Sequence, residues 1–284
     1  MGYALMNDVT ADPAAFVAAF ESRAQRFETP CGDGAMIWHV WGKGPPVLLL
    51  HGAHGSWSHW IRNIDALAAE HTVWAADIPG FGDSALPASA DHVAIAAALA
   101  AGLRQLLGAN TALDVVGFSF GSVVAAHLAA LHPALVRQLI VVGAGGLGTP
   151  KNAIDLRSIR GLTGAERLAA QRHNLLALML HDPQSVDALA LHLQEINIAR
   201  GRVNAAPLVL PDRLSAALPD VTAPLSAIWG EFDHPHPNPS AQEAVLRRFQ
   251  PHLEFRVIAE AGHWVMYERP EAFNRALLEL LRPA

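Results

Sequence analysis

The sequence predicts an α/β fold, a mostly parallel sheet with helices on both faces, and three observations carry that prediction. Short apolar runs of strand length recur along the chain, each closed by a glycine- or proline-rich turn and separated by stretches of helical period. One such run, Val115-Val116, leads into Gly117-Phe118-Ser119-Phe120-Gly121 and then into a small-residue helical stretch. From Gly148 to about Pro219 the strand runs stop and only helical stretches remain, so a helical block interrupts the sheet.

Taken in order, Asp12 to Phe27 carries Phe16, Val17, Phe20 and Phe27 at roughly helical spacing and reads as one helix begun by Asp12-Pro13. Met36 to Trp41 reads as a strand, Gly42 to Pro46 as a turn, and Val47 to Leu50 as a fully buried strand ending at His51-Gly52. A helical pattern runs through Ile61, Ile64, Leu67 and Ala68, followed by a short strand, Thr72 to Ala76, and the loop Asp77 to Ser84. Asp91 to Leu107 is an alanine-rich helix, Asp114 to Val116 the strand before Ser119, and Val136 to Val142 another strand. Within the helical block the stretches are Gly164 to Met179, Pro183 to Arg200 and Asp212 to Leu218. Ala223 to Gly230 and Leu253 to Ile258 restore strands, and Pro270 to Leu281 closes the chain as an amphipathic helix. The expected organisation is 1–147 as an N-terminal helix and the first part of a core, 148–218 as a helical lid, and 219–284 as the remainder of the core.

Composition narrows the partners. With 51% hydrophobic and 16% charged residues, the 284-residue chain can bury a substantial core. A net charge of -6 without a dense Lys/Arg run argues against nucleic acid and against an anionic membrane surface. No apolar run approaches the ~20 residues needed to span a bilayer. Cys31 is the single cysteine and implies no disulfide, Met1 to Thr10 lacks the pattern of a signal peptide, and Met6 breaks a myristoylation motif after Gly2. A cytoplasmic location is therefore expected.

The chemistry gathers where strands end. A glycine on each side lets Ser119 occupy the apex of a sharp strand-to-helix turn, where a bulky neighbour would collide. A serine hydroxyl needs a base to attack a carbonyl, and that base needs an orienting carboxylate. His263, in Ala261-Gly262-His263-Trp264 after the last strand, is the expected base. Asp233, just past the preceding strand, is the expected acid and is favoured over Glu231. Backbone N–H groups of Ala53 and Phe120 are the expected oxyanion donors, with His54 as the off-by-one alternative to Ala53.

These segments resemble the α/β-hydrolase superfamily: His51-Gly52, Asp77 to Ser84, the turn at Ser119, the acid loop and Gly262-His263 stand in that family's order from about residue 30 onward. The resemblance implies an eight-stranded, mostly parallel sheet with a lid inserted after the sixth core strand. His263-Trp264 with Glu268 is further similar to the ending of hydrolases that cleave carbon-carbon bonds in meta-ring-fission products. The departures are Ala53-His54-Gly55-Ser56, which lacks that group's proline, and Ser122 in place of a glycine. An aspartate nucleophile would mark an epoxide hydrolase or haloalkane dehalogenase, and Ser119 stands in its place.

Expected pocket residues are His54, Trp57, Phe118, Arg200 and Trp264, aromatics that suit an apolar or aromatic acyl group and an arginine that could clamp a carboxylate, with Arg202 as its neighbour. Core packing is an equally good reading of Trp60, Phe118 and Trp264, and a solvated helix end the better one of either arginine. His234 and His236 alternate with prolines and lack a carboxylate cluster, so no metal is expected and no cofactor is required. The expected protein is a serine hydrolase acting on a small carbonyl substrate, a carboxylester or a ring-fission product, and a homodimer is compatible with it. The competing expectation is a non-hydrolytic member of the fold, either a cofactor-free dioxygenase or a ligand-binding receptor-like protein.

Overall fold

The computed structural model describes residues 12–282, and the readings made on Met1 to Thr10 lie outside the described residues. Among the described residues eight strands form one sheet: β1 (Gln25–Cys31), β2 (Gly34–Trp41), β3 (Pro46–Leu50), β4 (Thr72–Ala76), β5 (Leu113–Phe118), β6 (Val136–Val142), β7 (Leu225–Gly230) and β8 (Glu254–Ile258). Their order is β1-β2-β4-β3-β5-β6-β7-β8. The pairs β1–β2 and β2–β4 are antiparallel and every later pair is parallel.

One expected element is corrected. The helix begun at Asp12 stops at Glu21, and Phe27 belongs to β1 instead of the helix. Gln25–Cys31 pairs along its whole length with β2, turning through Gly32 at φ 52°, and Phe27 packs on Trp74 with ring centroids 5.7 Å apart. The hairpin gives that stretch a seven-residue antiparallel ladder with β2 and buries Thr29 and Cys31, which outweighs its helical spacing of apolar residues. The helical start holds: Asp12 caps it by accepting from Ala15 N–H at 2.9 Å.

The strands are apolar because both faces are covered. In β5, Leu113 and Val115 join one buried cluster while Val116 and Phe118 join the other, the two-residue alternation of a strand buried on both sides. Between β6 and β7 the described residues hold helices and no strand: Gly164–Asn174 continuing as a single π turn through Met179, then Ala188–Arg200, Ala206–Val209 and Arg213–Ala217. Leu189 and Leu193 of this block join one cluster and Leu208 and Leu214 the other, so the block shares its buried surface with the two faces of the sheet.

Register brings the carboxyl ends level. Leu50 pairs with Gly117, Gly117 with Val141, and Gly230 with Ile258. The loops that follow β3, β5, β6, β7 and β8 therefore emerge along one edge, and each carries a residue singled out above or packed against one.

Candidate active site

Ser119 sits at φ 51°, ψ -114°, a conformation that costs a non-glycine residue ~1–3 kcal/mol unless its surroundings hold it. They do. Ser119 N–H donates to Val142 O at 2.8 Å, and Ser122 Oγ donates to Gly117 O at 2.6 Å while accepting from Val142 N–H at 3.2 Å. The flanking glycines are required: a Cβ on Gly117 would lie 2.6 Å from Ser122 Cα, and one on Gly121 2.7 Å from the carbonyl carbon of Leu50.

His263 bridges the serine and the acid. Its Nε2 lies 3.0 Å from Ser119 Oγ and its Nδ1 2.8 Å from Asp233 Oδ2. An ionised carboxylate only accepts, so Nδ1 carries the proton and Nε2 accepts from the serine hydroxyl. Asp233 Oδ1 accepts from His236 N–H at 2.9 Å, which fixes the carboxylate from its other side. Asp233 is 1% exposed and His263 4%, so their interaction is little screened by water. Gly143 leaves the space they occupy, since a Cβ there would fall 3.2 Å from Asp233 Oδ2.

The loop after β3 faces the serine from the other side. A Cβ on Gly52 would stand 3.4 Å from Ser119 Cβ, so this backbone touches the hydroxyl-bearing side chain. Gly52 N–H is engaged by His59 Nδ1 at 3.3 Å, whereas Ala53 and Phe120 N–H have no acceptor among the described residues. His51 Nδ1–H donates to Gly52 O at 2.7 Å and its Nε2 accepts from Ile78 N–H at 2.9 Å. Burial lowers the His51 pKa to about 4 and holds His59 well below the usual imidazole range, so both rings stay neutral acceptors at neutral pH. Asp77 ties the same loop down, accepting from Trp57 N–H at 2.8 Å and Asp83 N–H at 2.9 Å.

Comparison with known proteins agrees with this architecture. The sequence model described as the alpha/beta hydrolase family matches residues 47–276. The chain belongs to that family. It is 28% identical over 267 residues to the pimeloyl-[acyl-carrier protein] methyl ester esterase of Vibrio atlanticus, covering 86% of this chain and 96% of that protein. It is 28% identical over 256 residues to the 2-hydroxy-6-oxo-6-phenylhexa-2,4-dienoate hydrolase of Burkholderia cepacia, covering 84% of this chain and 88% of that protein. Among solved structures, a bacterial membrane phospholipase A superposes with a TM-score of 0.75 at 25% identity, covering 99% of this chain and 95% of that one.

The remaining expected residues of this α/β hydrolase fall into two groups. Phe118 lies beneath the site, its ring centroid 5.0 Å from that of His263. His54 stands exposed on the loop after Ala53, at φ 49° and beside Gly201 of the helical block. Trp57 and Trp264, by contrast, are core residues: Trp57 stacks on Phe20 at 6.0 Å, and Trp264 stacks on Tyr267 at 4.2 Å while its Nε1–H donates to His59 O. Phe120, whose N–H is the expected oxyanion donor, turns its ring onto Phe81 and is fully buried. Arg200 pairs with Asp83 at 3.2 Å on the surface, and Arg202 is spent on the carbonyls of Gly82 and Ser84. The expected carboxylate clamp is therefore corrected. Both guanidiniums hold the Asp77–Ser84 loop, because that loop's backbone carbonyls and Asp83 lie within their reach.

The roles of three residues are not legible in the sequence. Ser122 stands there only as a departure from the family pattern, and its hydroxyl pins the strained turn. Glu268 is 5% exposed and accepts from Gly262 N–H at 2.6 Å, His181 N–H at 3.0 Å and Asp182 N–H at 2.6 Å, joining the His263 loop to the helical block. The motif around His263 contains Glu268, but no local signal names its partners. Asn197, buried in the helix Ala188–Arg200, left no signal at all. Among the described residues no cluster of three metal-ligating side chains occurs, and no helix is long and apolar enough to cross a membrane.

Proposed function

We propose that the protein is a serine hydrolase of carboxylic esters with small, uncharged, apolar or aromatic acyl groups. The observation that carries this reading is His263 hydrogen-bonded at once to Ser119 Oγ and to buried Asp233. Ser119 Oγ attacks the ester carbonyl as its proton passes to His263 Nε2, and Asp233 stabilises the imidazolium through Nδ1–H. The carbonyl oxygen, now negative, takes the unengaged N–H groups of Ala53 and Phe120, each worth about 2.7 to 4 kcal/mol in comparable sites. Collapse of the tetrahedral species returns the proton to the leaving alkoxide as the alcohol departs. Water, deprotonated by the same nitrogen, then cleaves the acyl-enzyme and restores Ser119.

A second reading is supported by relatives named as hydrolases of 2-hydroxy-6-oxo dienoates. Such a substrate carries a carboxylate, and the two arginines the sequence offers for it are engaged elsewhere. That engagement is why the ester reading is preferred. The two are separated by assaying p-nitrophenyl esters of graded acyl length beside a ring-fission dienoate, with wild type and Ser119→Ala. Ester turnover that exceeds dienoate turnover and vanishes in Ser119→Ala is the expected result. Faster dienoate cleavage would favour the carbon-carbon reading, and ester turnover unaffected by Ser119→Ala would overturn nucleophilic catalysis.

A further inference from the structure

Three buried polar side chains close a ring between the helical block and the loop that carries Ala53. Asn197 is 1% exposed, Ser56 3% and Ser58 1%. Ser56 Oγ–H donates to Asn197 Oδ1 at 2.8 Å, Asn197 Nδ2–H donates to Ser58 Oγ at 3.1 Å, and the two serine oxygens are 2.8 Å apart. Ser56 has spent its only proton on the amide, so Ser58 Oγ–H donates back to Ser56 Oγ. All three donors run in one direction around the ring, and removing any one member leaves the other two half paired. Buried groups so arranged are costly to leave half paired, which makes the ring all-or-none.

The ring lies on the segment that places an oxyanion donor. Ser56 also caps the turn Trp57–Trp60 through Ser58 N–H, and His59 on that turn holds Gly52 N–H. Gly52 in turn abuts Ser119, and Ala53 follows it. We infer that Asn197 is a positioning residue: from the helix Ala188–Arg200 it sets the Ser56–His59 turn and, through His59 and Gly52, the aim of Ala53 N–H at the reacting carbonyl. The helix Ala188–Arg200 and the oxyanion loop are then tied into one body. The position of the helix and the oxyanion stabilisation are coupled through this single amide, 141 positions from Ser56.

This inference rests on the hydrolase reading for its kinetic consequence, but its structural consequence is read separately. Asn197→Ala and Ser56→Ala are compared with Leu193→Ala, which loosens the same helix at a fully buried apolar position and leaves the ring intact. Expected for Asn197→Ala is a kcat on p-nitrophenyl butyrate lowered at least tenfold with KM changed less than threefold, together with faster amide hydrogen exchange in the peptide 51–60. Ser56→Ala should match it, and the double variant should be no worse than either single one, because the ring is already open. Leu193→Ala should lower the melting temperature without lowering kcat or loosening 51–60. The inference is overturned if Asn197→Ala leaves exchange in 51–60 unchanged, if it alters KM alone, or if Leu193→Ala reproduces its kcat loss. If wild type and Ser119→Ala are equally inert on every ester while exchange in 51–60 still rises in Asn197→Ala, the hydrolase reading fails and the coupling of helix to loop stands.

Discussion

At the scale of single residues, the proposed chemistry turns on the tautomer of one imidazole. Asp233 Oδ2 accepts from His263 Nδ1–H and so leaves Nε2 free to receive the serine proton. Asp233→Asn keeps the Oδ1 contact with His236 N–H but can offer Nδ2–H to Nδ1, which moves the ring proton to Nε2 and blocks it as a base. Loss of kcat by roughly 10⁴-fold with little change in KM is expected, as removing the orienting charge does in such triads. Steady-state kinetics on p-nitrophenyl butyrate measure it, and a loss under tenfold would mean that Asp233 does not orient the base. Glu231 is excluded from that role by its contacts, because its carboxylate accepts from Glu260 N–H on the exposed rim of the loop. The sequence favoured Asp233 over Glu231 by distance from the strand end alone, and only the loop's path supplies the reason.

At the scale of elements, the turn at Ser119 and the loop at His263 are held by different means. The first is steric. Gly121 lies against the backbone of Leu50 and His51, so Gly121→Ala must push β3 away from the elbow helix Phe120–Leu131. A destabilisation of about 3 kcal/mol or more is expected from overpacking a site with backbone on the far side, read as a lowered midpoint in urea. An unchanged midpoint would show that the strand can yield. The second is electrostatic. Glu268 collects three amide protons from two segments, so Glu268→Gln turns a donor group toward donors and leaves at least one N–H unpaired. Stability should fall by about 1–3 kcal/mol, and kcat should fall with it because Gly262 N–H is one of the three. Activity retained at full stability loss would detach Glu268 from the His263 loop. The glycines around Ser119 were legible because a turn's sterics are local, whereas the partners of Glu268 lie 86 and 87 positions back in the chain.

At the scale of the whole molecule, the site is surrounded by imidazoles that the fold keeps neutral. Burial lowers His51 and His236 to about 4, and lowers His59 well below the ordinary value of 6.5. The unfolded chain therefore binds more protons than the folded one as pH falls below about 6.5. Stability from these groups is complete above that value and is lost as pH drops toward 4, on the order of 3 kcal/mol for His51 alone. Asp77 and Asp114, raised by burial, act in the opposite sense and only near the carboxylate range. The midpoint of thermal unfolding should accordingly decline between pH 7 and pH 5. A flat or rising midpoint over that interval would mean that these rings are charged in the folded protein.

The sequence by itself determined the alternation of strands and helices, the helical block after β6, the strained serine, and the order in which serine, acid and histidine leave their strands. Those features are written in periodicity, turn chemistry and short spacings, which depend on near neighbours. The hairpin β1–β2 hid inside a helical pattern because its reward comes from a partner strand. Only the tertiary structure decided that Trp57 and Trp264 serve the core, that Arg200 and Arg202 brace a loop, and that Asn197 closes a ring with Ser56 and Ser58. A long polar or aromatic side chain can satisfy itself in several ways, and which partner it meets is set by how distant segments are brought together, which no local pattern records.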